Sequence, residues 1–167
     1  MHLKIFKIST LAVSAILLLT ACSTDGGVKS MTGEQSKSFT FPSVTNTTGT
    51  APIIGKLSGP APSNLQSKDI ITGTGKTAIA TSTLEVHYVL MTYSDGKVIQ
   101  SSWDSGQTAT FPLSGVITGW QQGIPGMKEG GRRLLIIPPA LGYGESGSGP
   151  IAPNETLVFV VDLVKVS

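Results

Sequence analysis

The ionisable side chains of this chain show no arrangement typical of acid–base or metal chemistry. His87 lies in a predicted strand without a second metal ligand nearby, which favours a structural role. Cys22 is the only cysteine, so an intramolecular disulfide is excluded. The carboxylates of the C-terminal part lack the paired spacing that general acid–base catalysis uses: Glu85, Asp95, Asp104, Glu129 and Asp162. The sequence therefore predicts no metal and no cofactor.

The candidates that remain are large apolar and aromatic side chains. Trp120 begins a short predicted helix, and Tyr88 and Phe159 lie in predicted strands. By position alone these three are typical core residues. Tyr143 differs from them because it lies between two glycines, and a Gly-rich loop is a poor place to bury a large ring. The pattern predicts a compact β-domain with an apolar pocket.

The elements that must position these residues are short strands and one helix. Apolar side chains alternate along residues 83–93, and an Asp-Gly hairpin signal follows at residues 95–96. A helix over residues 117–124 is stopped by Pro125 and Gly126. The other predicted strands cover residues 65–71, 98–102, 109–113, 132–137 and 156–166. The predicted class is α+β, an antiparallel twisted β-sheet of about five strands wrapped on one short α-helix.

Several motifs in a fixed order give the chain a family resemblance from about residue 65 to its end. The order resembles that of the FKBP-type peptidyl-prolyl cis-trans isomerases, in their bacterial lipoprotein form. The motifs are Val86-His87-Tyr88, Asp95-Gly96-Lys97, Phe111-Pro112-Leu113, Val116-Ile117-Thr118-Gly119-Trp120, Gly126-Met127, Leu141-Gly142-Tyr143-Gly144 and Thr156-Leu157-Val158-Phe159.

The resemblance implies which residues form the site. In that family an apolar cup receives the proline ring of the substrate, and Trp120 would form its floor. The backbone N–H of Ile117 and the hydroxyl of Tyr143 would bind the carbonyl groups of the substrate. The remaining residues would form walls or the rim: Tyr88, Ile99, Gln100, Phe111, Val116, Ile151 and Phe159.

The chemistry of such a cup needs no nucleophile. An X–Pro bond rotates across a barrier of about 18–20 kcal/mol because of amide resonance. Resonance places charge on the carbonyl oxygen and the nitrogen, and water stabilises that charge. Because the twisted amide has lost much of the charge, a dry apolar cup suits the twisted state better than the planar ones.

The sequence departs from the family pattern at four places. Members usually carry an aromatic residue and an aspartate at the positions of Ile99 and Gln100. Gln100 would bond the rim tyrosine without charge assistance, and so more weakly. Leu90 replaces a usual glycine, and the loop between Leu113 and Val116 is shortened. Three functions therefore remain open. The first is an isomerase, with activity that these changes could reduce, and the second is a proline-peptide binding or chaperone module that has lost catalysis. The third is a purely structural or antigenic surface lipoprotein that binds no peptide.

The N-terminus has the features of an export signal. His2, Lys4 and Lys7 precede an apolar run over residues 8–20, which is shorter than the ~20 residues of a membrane-spanning helix. Leu19-Thr20-Ala21-Cys22 resembles the lipobox of bacterial lipoproteins. We therefore expect a lipoprotein signal peptide over residues 1–21, lipidation of Cys22, and a protein anchored to a bacterial membrane in the cell envelope with its domain outside the cytoplasm.

The rest of the organisation follows from composition. Residues 22–63 are rich in Ser, Thr, Gly and Pro and predict a flexible tether, in which residues 39–42 and 53–54 could add a short edge strand. Residues 64–167 form the predicted isomerase domain. The net charge of +2 gives no reason to expect nucleic-acid binding. The expected partners are proline-containing exported polypeptides, with a macrolide as a further ligand, and the chain is expected to be a monomer.

Overall fold

The computed structural model describes residues 38–167, which form an antiparallel sheet with one short helix. The helix α1 covers Thr118–Gly123, and 3-10 turns occur at residues 102–104, 113–115 and 139–141. The strands are β1 Gln66–Ile71, β2 Thr83–Thr92, β3 Val98–Ser101, β4 Ala109–Pro112, β5 Arg132–Ile137 and β6 Leu157–Val166. The predicted fold class is confirmed, with six strands where about five were expected.

The sixth strand is accommodated by the length of β2. The strand order is β1-β5-β6-β2-β3, and β4 pairs with β2 as well. The first half of β2 pairs with β4, from Thr83 opposite Pro112 to Val86 opposite Ala109. The second half pairs with β3, where Val89 lies opposite Ser101. Both short strands therefore share one edge of the ten-residue β2.

One face of the sheet packs against α1. The alternating residues Leu84, Val86, Tyr88 and Leu90 of β2 all belong to the core cluster that contains Trp120 of the helix. This is the face that the period-2 pattern predicts. Leu135 and Ile137 of β5 and Phe159 and Val161 of β6 complete the same cluster.

The opposite face of the sheet is covered by residues that precede β1. A second buried cluster contains Leu134 and Ile136 of β5 together with Val158 and Val160 of β6. The N-terminal segment, defined here as residues 38–63, packs side chains onto this cluster: Phe39, Phe41, Val44, Ile54 and Leu57. Because both faces are covered, β5 and β6 are buried along almost their whole apolar runs.

Polar contacts also hold the N-terminal segment to the sheet. The guanidinium of Arg132, which is 0% exposed, donates hydrogen bonds to the carbonyl oxygens of Thr45 and Thr50 at 2.9 and 2.8 Å. The hydroxyl of Tyr93 lies 3.3 Å from the carbonyl oxygens of residues 58, 59 and 60. A buried guanidinium requires such acceptors, since unpaired burial is costly.

The N-terminal segment therefore differs from the flexible tether predicted over residues 22–63. Its apolar side chains pack on the second face of the sheet, and the composition of the segment does not predict this packing. The expected edge strand is replaced by two isolated bridges within the segment, Thr40 with Ser58 and Val44 with Ile54. Residues 22–37 of the predicted tether, the predicted signal peptide and Cys22 lie outside the described residues.

No helix within residues 38–167 is both long and apolar enough to cross a membrane.

Candidate active site

A pocket of about 480 Å³ opens where α1 faces the sheet. Its walls come from β2, β3, β4, β6, the turn before α1 and the loop after β5. Ten residues line it: Tyr88, Leu90, Gln100, Phe111, Gly115, Val116, Ile117, Trp120, Tyr143 and Phe159. The lining is mostly aromatic and aliphatic, as expected for a site that takes an apolar group.

Trp120 lies at the centre of an aromatic cluster. Its ring is nearly perpendicular to those of Tyr88, Phe111 and Phe159, with centroid distances of 6.0, 6.0 and 5.4 Å. Edge-to-face contacts of this kind are favourable and fix ring orientation. Trp120 is only 4% exposed, so the cluster gives the pocket a rigid, buried floor.

Two glycines allow the helix that carries Trp120 to lie close to the sheet. A Cβ atom at Gly119 would lie 2.4 Å from Cγ2 of Ile137, and one at Gly123 would lie 2.8 Å from Cδ2 of Leu135. Both distances are shorter than van der Waals contact. The two glycines therefore set the depth of the floor.

The turn before α1 presents a free backbone donor. Ile117 has an extended conformation, and its carbonyl oxygen accepts hydrogen bonds from the N–H groups of Trp120 and Gln121. The Gln121 side chain donates to the carbonyl oxygen of Val116 at 2.8 Å and steadies the turn. Within residues 38–167 the N–H of Ile117 has no hydrogen-bond partner. It is available to a substrate carbonyl.

The loop after β5 places Tyr143 at the rim. The N–H groups of Gly142 and Gly144 both donate to the carbonyl oxygen of Pro139, and Gly144 adopts a φ of +60°, which favours glycine. Tyr143 is 37% exposed. Burial raises the pKa of the Tyr88 hydroxyl, and the neighbouring Tyr143 adds to the effect.

The structure brings together eight of the ten residues predicted for the site. The two others, Ile99 and Ile151, do not line the pocket and pack against the helix-side core instead. The register of β3 shifts so that Gln100 lies opposite Leu90 and Val98 opposite Met91, which leaves Ile99 unpaired in a bulge. Ile99 is also shorter than the usual aromatic ring. Ile151 is a buried residue of the loop between β5 and β6, in which it forms a bridge with Ser148.

Two lining residues were missed by the sequence reasoning. Leu90 could have been found, because it continues the alternation that places Tyr88 on the helix side. Gly115 carries no side-chain signal, and it is the last residue of the 3-10 turn over residues 113–115, which brings its backbone to the pocket.

His87 contacts a serine hydroxyl and an aromatic ring, which is consistent with the structural role that the sequence favours for it. Its Nδ1 lies 3.0 Å from the hydroxyl oxygen of Ser102, and its ring stacks on that of Trp103 at 3.9 Å. Residues 38–167 contain no group of three or more His, Cys, Asp or Glu side chains that could hold a metal ion.

Comparisons with known proteins agree with this geometry. The model of the family described as "FKBP-type peptidyl-prolyl cis-trans isomerase" matches residues 75–164. The chain is 54% identical to the "Probable FK506-binding protein" of Corynebacterium glutamicum over 106 residues, which are 64% of this chain and 90% of that protein. It is 50% identical to the "FK506-binding protein" of Streptomyces anulatus over 112 residues, 65% of this chain and 90% of that protein.

Solved structures show the same fold. The crystal structure of FkpA from Escherichia coli superposes with a TM-score of 0.59 and 39% identity, covering 62% of this chain and 48% of that chain. The crystal structure of AtFKBP13 gives a TM-score of 0.58 and 36% identity, covering 64% of this chain and 96% of that one. With the family model matching more than half of its length, this chain belongs to the FKBP-type peptidyl-prolyl cis-trans isomerase family.

Proposed function

We propose that this isomerase acts on exported polypeptides at the cell envelope and that the pocket above Trp120 is its active site. The observation that carries the site assignment is the pocket lining, in which an aromatic floor adjoins two uncommitted hydrogen-bond donors. One is the N–H of Ile117, and the other is the hydroxyl of Tyr143. Neither has a partner within residues 38–167.

The proposed mechanism uses binding and desolvation alone. The proline ring packs on Trp120 between Tyr88 and Phe159, whose rings hold the floor from two sides. The Ile117 N–H and the Tyr143 hydroxyl hold the flanking carbonyls so that the amide rotates inside the apolar cup. Because the planar amide is the more polar state, exclusion of water raises its free energy relative to the twisted state.

Cis/trans exchange of short X–Pro peptides, followed by NMR, tests the site. Trp120→Leu is expected to lower kcat/KM by about tenfold or more, because the proline ring then loses the aromatic floor on which it packs. Tyr143→Phe removes only one hydroxyl donor and should lower kcat/KM by about three- to tenfold. Trp103→Phe is the matched control, since Trp103 lies outside the pocket. Unchanged rates in both pocket variants would overturn the assignment.

The location at the envelope rests on the N-terminal sequence. Residues 1–21 have the pattern of an export signal, and Cys22 follows a lipobox-like run. We propose that acylated Cys22 anchors the protein to the membrane. Mass spectrometry of the native N-terminal peptide should show acyl chains on Cys22, and Cys22→Ser should release the protein from the membrane fraction. An unmodified N-terminus would contradict the proposal.

A binding or chaperone module is the second candidate, and Gln100 is the observation that favours it. Its uncharged amide stands where family members usually carry an aspartate, and it makes no hydrogen bond within residues 38–167. This candidate predicts peptide-induced shifts without faster exchange. In that case Ile99→Phe with Gln100→Asp is the rescue to test.

A macrolide ligand and a monomeric state are further proposals. Two relatives carry FK506 in their names, which makes that compound the ligand to titrate. Loss of peptide exchange on titration would support shared use of the pocket. Sedimentation of the purified chain tests the monomer, and a concentration-dependent increase in mass would contradict it.

A further inference from the structure

The mouth of the pocket carries an amide side chain and no charged group. Gln100 of β3 lies directly opposite Leu90 of β2, and both line the pocket. The Gln100 side chain is exposed and makes no hydrogen bond with any residue that the structure describes. None of the ten lining residues is an aspartate, glutamate, histidine, lysine or arginine.

The environment of Tyr88 agrees with this absence of charge. The pKa of its hydroxyl is raised by burial and by Tyr143, and no carboxylate, ammonium or guanidinium group contributes to the shift. Burial, rather than a nearby charged group, is therefore the main cause of the raised pKa of Tyr88.

The backbone of β3 explains why Gln100 occupies the mouth. The register shift opposite Leu90 and Met91 leaves Ile99 without a partner. Bulges of this kind re-aim the side chains around them. Gln100 itself pairs regularly with Leu90 and so faces the pocket on the same side of the sheet, while the bulged Ile99 packs against the core.

We propose that Gln100 makes this isomerase insensitive to the charge of the residue that precedes proline. A neutral amide offers one acceptor and two donors, so it can face an acidic or a basic neighbour without repulsion. A carboxylate at the same position would repel acidic residues and attract basic ones. Glu-Pro and Lys-Pro segments should then be isomerised at similar rates. The proposal rests on the pocket being the active site.

The test uses the purified full-length chain and four peptides, Ala-X-Pro-Phe with Leu, Gln, Glu or Lys at X. NMR exchange gives kcat/KM for each peptide, and chemical-shift titration gives Kd. We expect the Glu and Lys peptides to differ by less than about twofold in the unmodified protein. In Gln100→Asp, a carboxylate about 8 Å from the substrate charge at an effective dielectric constant of about 40 should disfavour Glu-Pro about fivefold and favour Lys-Pro by a similar factor.

Gln66→Asp is the matched control, because it adds the same charge at the opposite edge of the sheet. Gln66 lies on β1, four strands from β3 and hence about 19 Å away, which is beyond the Debye length of ~8–10 Å. A difference of more than about twofold between the Glu and Lys peptides in the unmodified protein would overturn the proposal. So would an unchanged ratio in Gln100→Asp. If even the Leu peptide shows no acceleration, the catalytic assignment fails separately, and the ratio of Kd values still decides whether the site discriminates charge.

Discussion

Arg132 and Asp162 lie opposite each other on β5 and β6 and form an ion pair, with Nε 2.6 Å from Oδ1. The same guanidinium also binds the carbonyl oxygens of Thr45 and Thr50. One buried side chain therefore joins the central strands to the N-terminal segment. Arg133, its neighbour, pairs with Asp69 of β1 at a more exposed position.

Arg132→Met should destabilise the fold strongly. It leaves the Asp162 carboxylate and two carbonyl oxygens without their donor, and removal of one partner of a buried pair costs about 3–5 kcal/mol. Arg132→Met with Asp162→Leu should be less destabilised than Arg132→Met alone, because both charges are then removed. Urea unfolding measures both. Equal losses in free energy of unfolding in the single and double variants would show that the unpaired Asp162 carboxylate does not destabilise the fold.

The same single variant should change the pH dependence of stability. Burial raises the pKa of Asp162, and Arg132 opposes that shift. Without Arg132 the pKa should rise further. A carboxyl whose pKa is higher when folded contributes stability that is present below its unfolded pKa of about 3.9 and lost as pH rises through the folded value.

The loss in free energy of unfolding that Arg132→Met causes should therefore be smaller near pH 4 than near pH 7. Urea midpoints across that interval measure it. The double variant with Asp162→Leu lacks the titrating group and serves as the control, so its deficit should not vary with pH in the same way. A deficit in the single variant that is constant with pH would contradict the role given to Asp162.

The N-terminal segment should contribute to stability through its apolar side chains. Phe41 packs on the second sheet face, and Lys68 Nζ lies 5.8 Å from its ring centroid. Phe41→Ala should cost about 1–2 kcal/mol, less than a fully buried phenylalanine. Ile53→Ala is the control, since Ile53 is 73% exposed and should change stability by less than about 0.5 kcal/mol. Equal, negligible effects would mean that the segment is a tether.

The sequence predicts the helix-facing half of this fold well because its signals are local. Alternation along β2 identifies the face of Tyr88, and the strand at residues 132–137 is bounded as predicted. Burial of the second face of the sheet depends instead on residues that are distant in sequence. Leu134 and Leu135 are both apolar, and only a cover on each side of the sheet explains why both are buried. Arg132 is likewise buried because the carbonyl oxygens of Thr45 and Thr50, distant in sequence, accept hydrogen bonds from its guanidinium.

The same distinction holds for the site. Motif order places Trp120, Phe111 and Phe159 around one pocket, because each follows from the helix, strand or turn that carries it. The position of Ile99 depends on a bulge, which shows in the pairing register and not in residue types.

Gly119→Ala should weaken catalysis by moving the floor of the pocket. The added Cβ would lie 2.4 Å from Cγ2 and 2.7 Å from Cδ1 of Ile137, so α1 must shift away from β5. Overpacking of this kind costs about 1–3 kcal/mol. Because Trp120 is the next residue, the shift should also lower kcat/KM for X–Pro peptides, by about three- to tenfold.

Gln122→Ala on the same helix is the control for this change. Gln122 is exposed, so its replacement should leave both the urea midpoint and peptide exchange unchanged. NMR exchange at a temperature where Gly119→Ala remains folded separates loss of activity from loss of structure. If Gly119→Ala is destabilised and still isomerises peptides at the original rate, the depth of Trp120 does not limit catalysis. A loss of rate in the folded variant would instead show that close helix–sheet packing is what gives the pocket its catalytic shape.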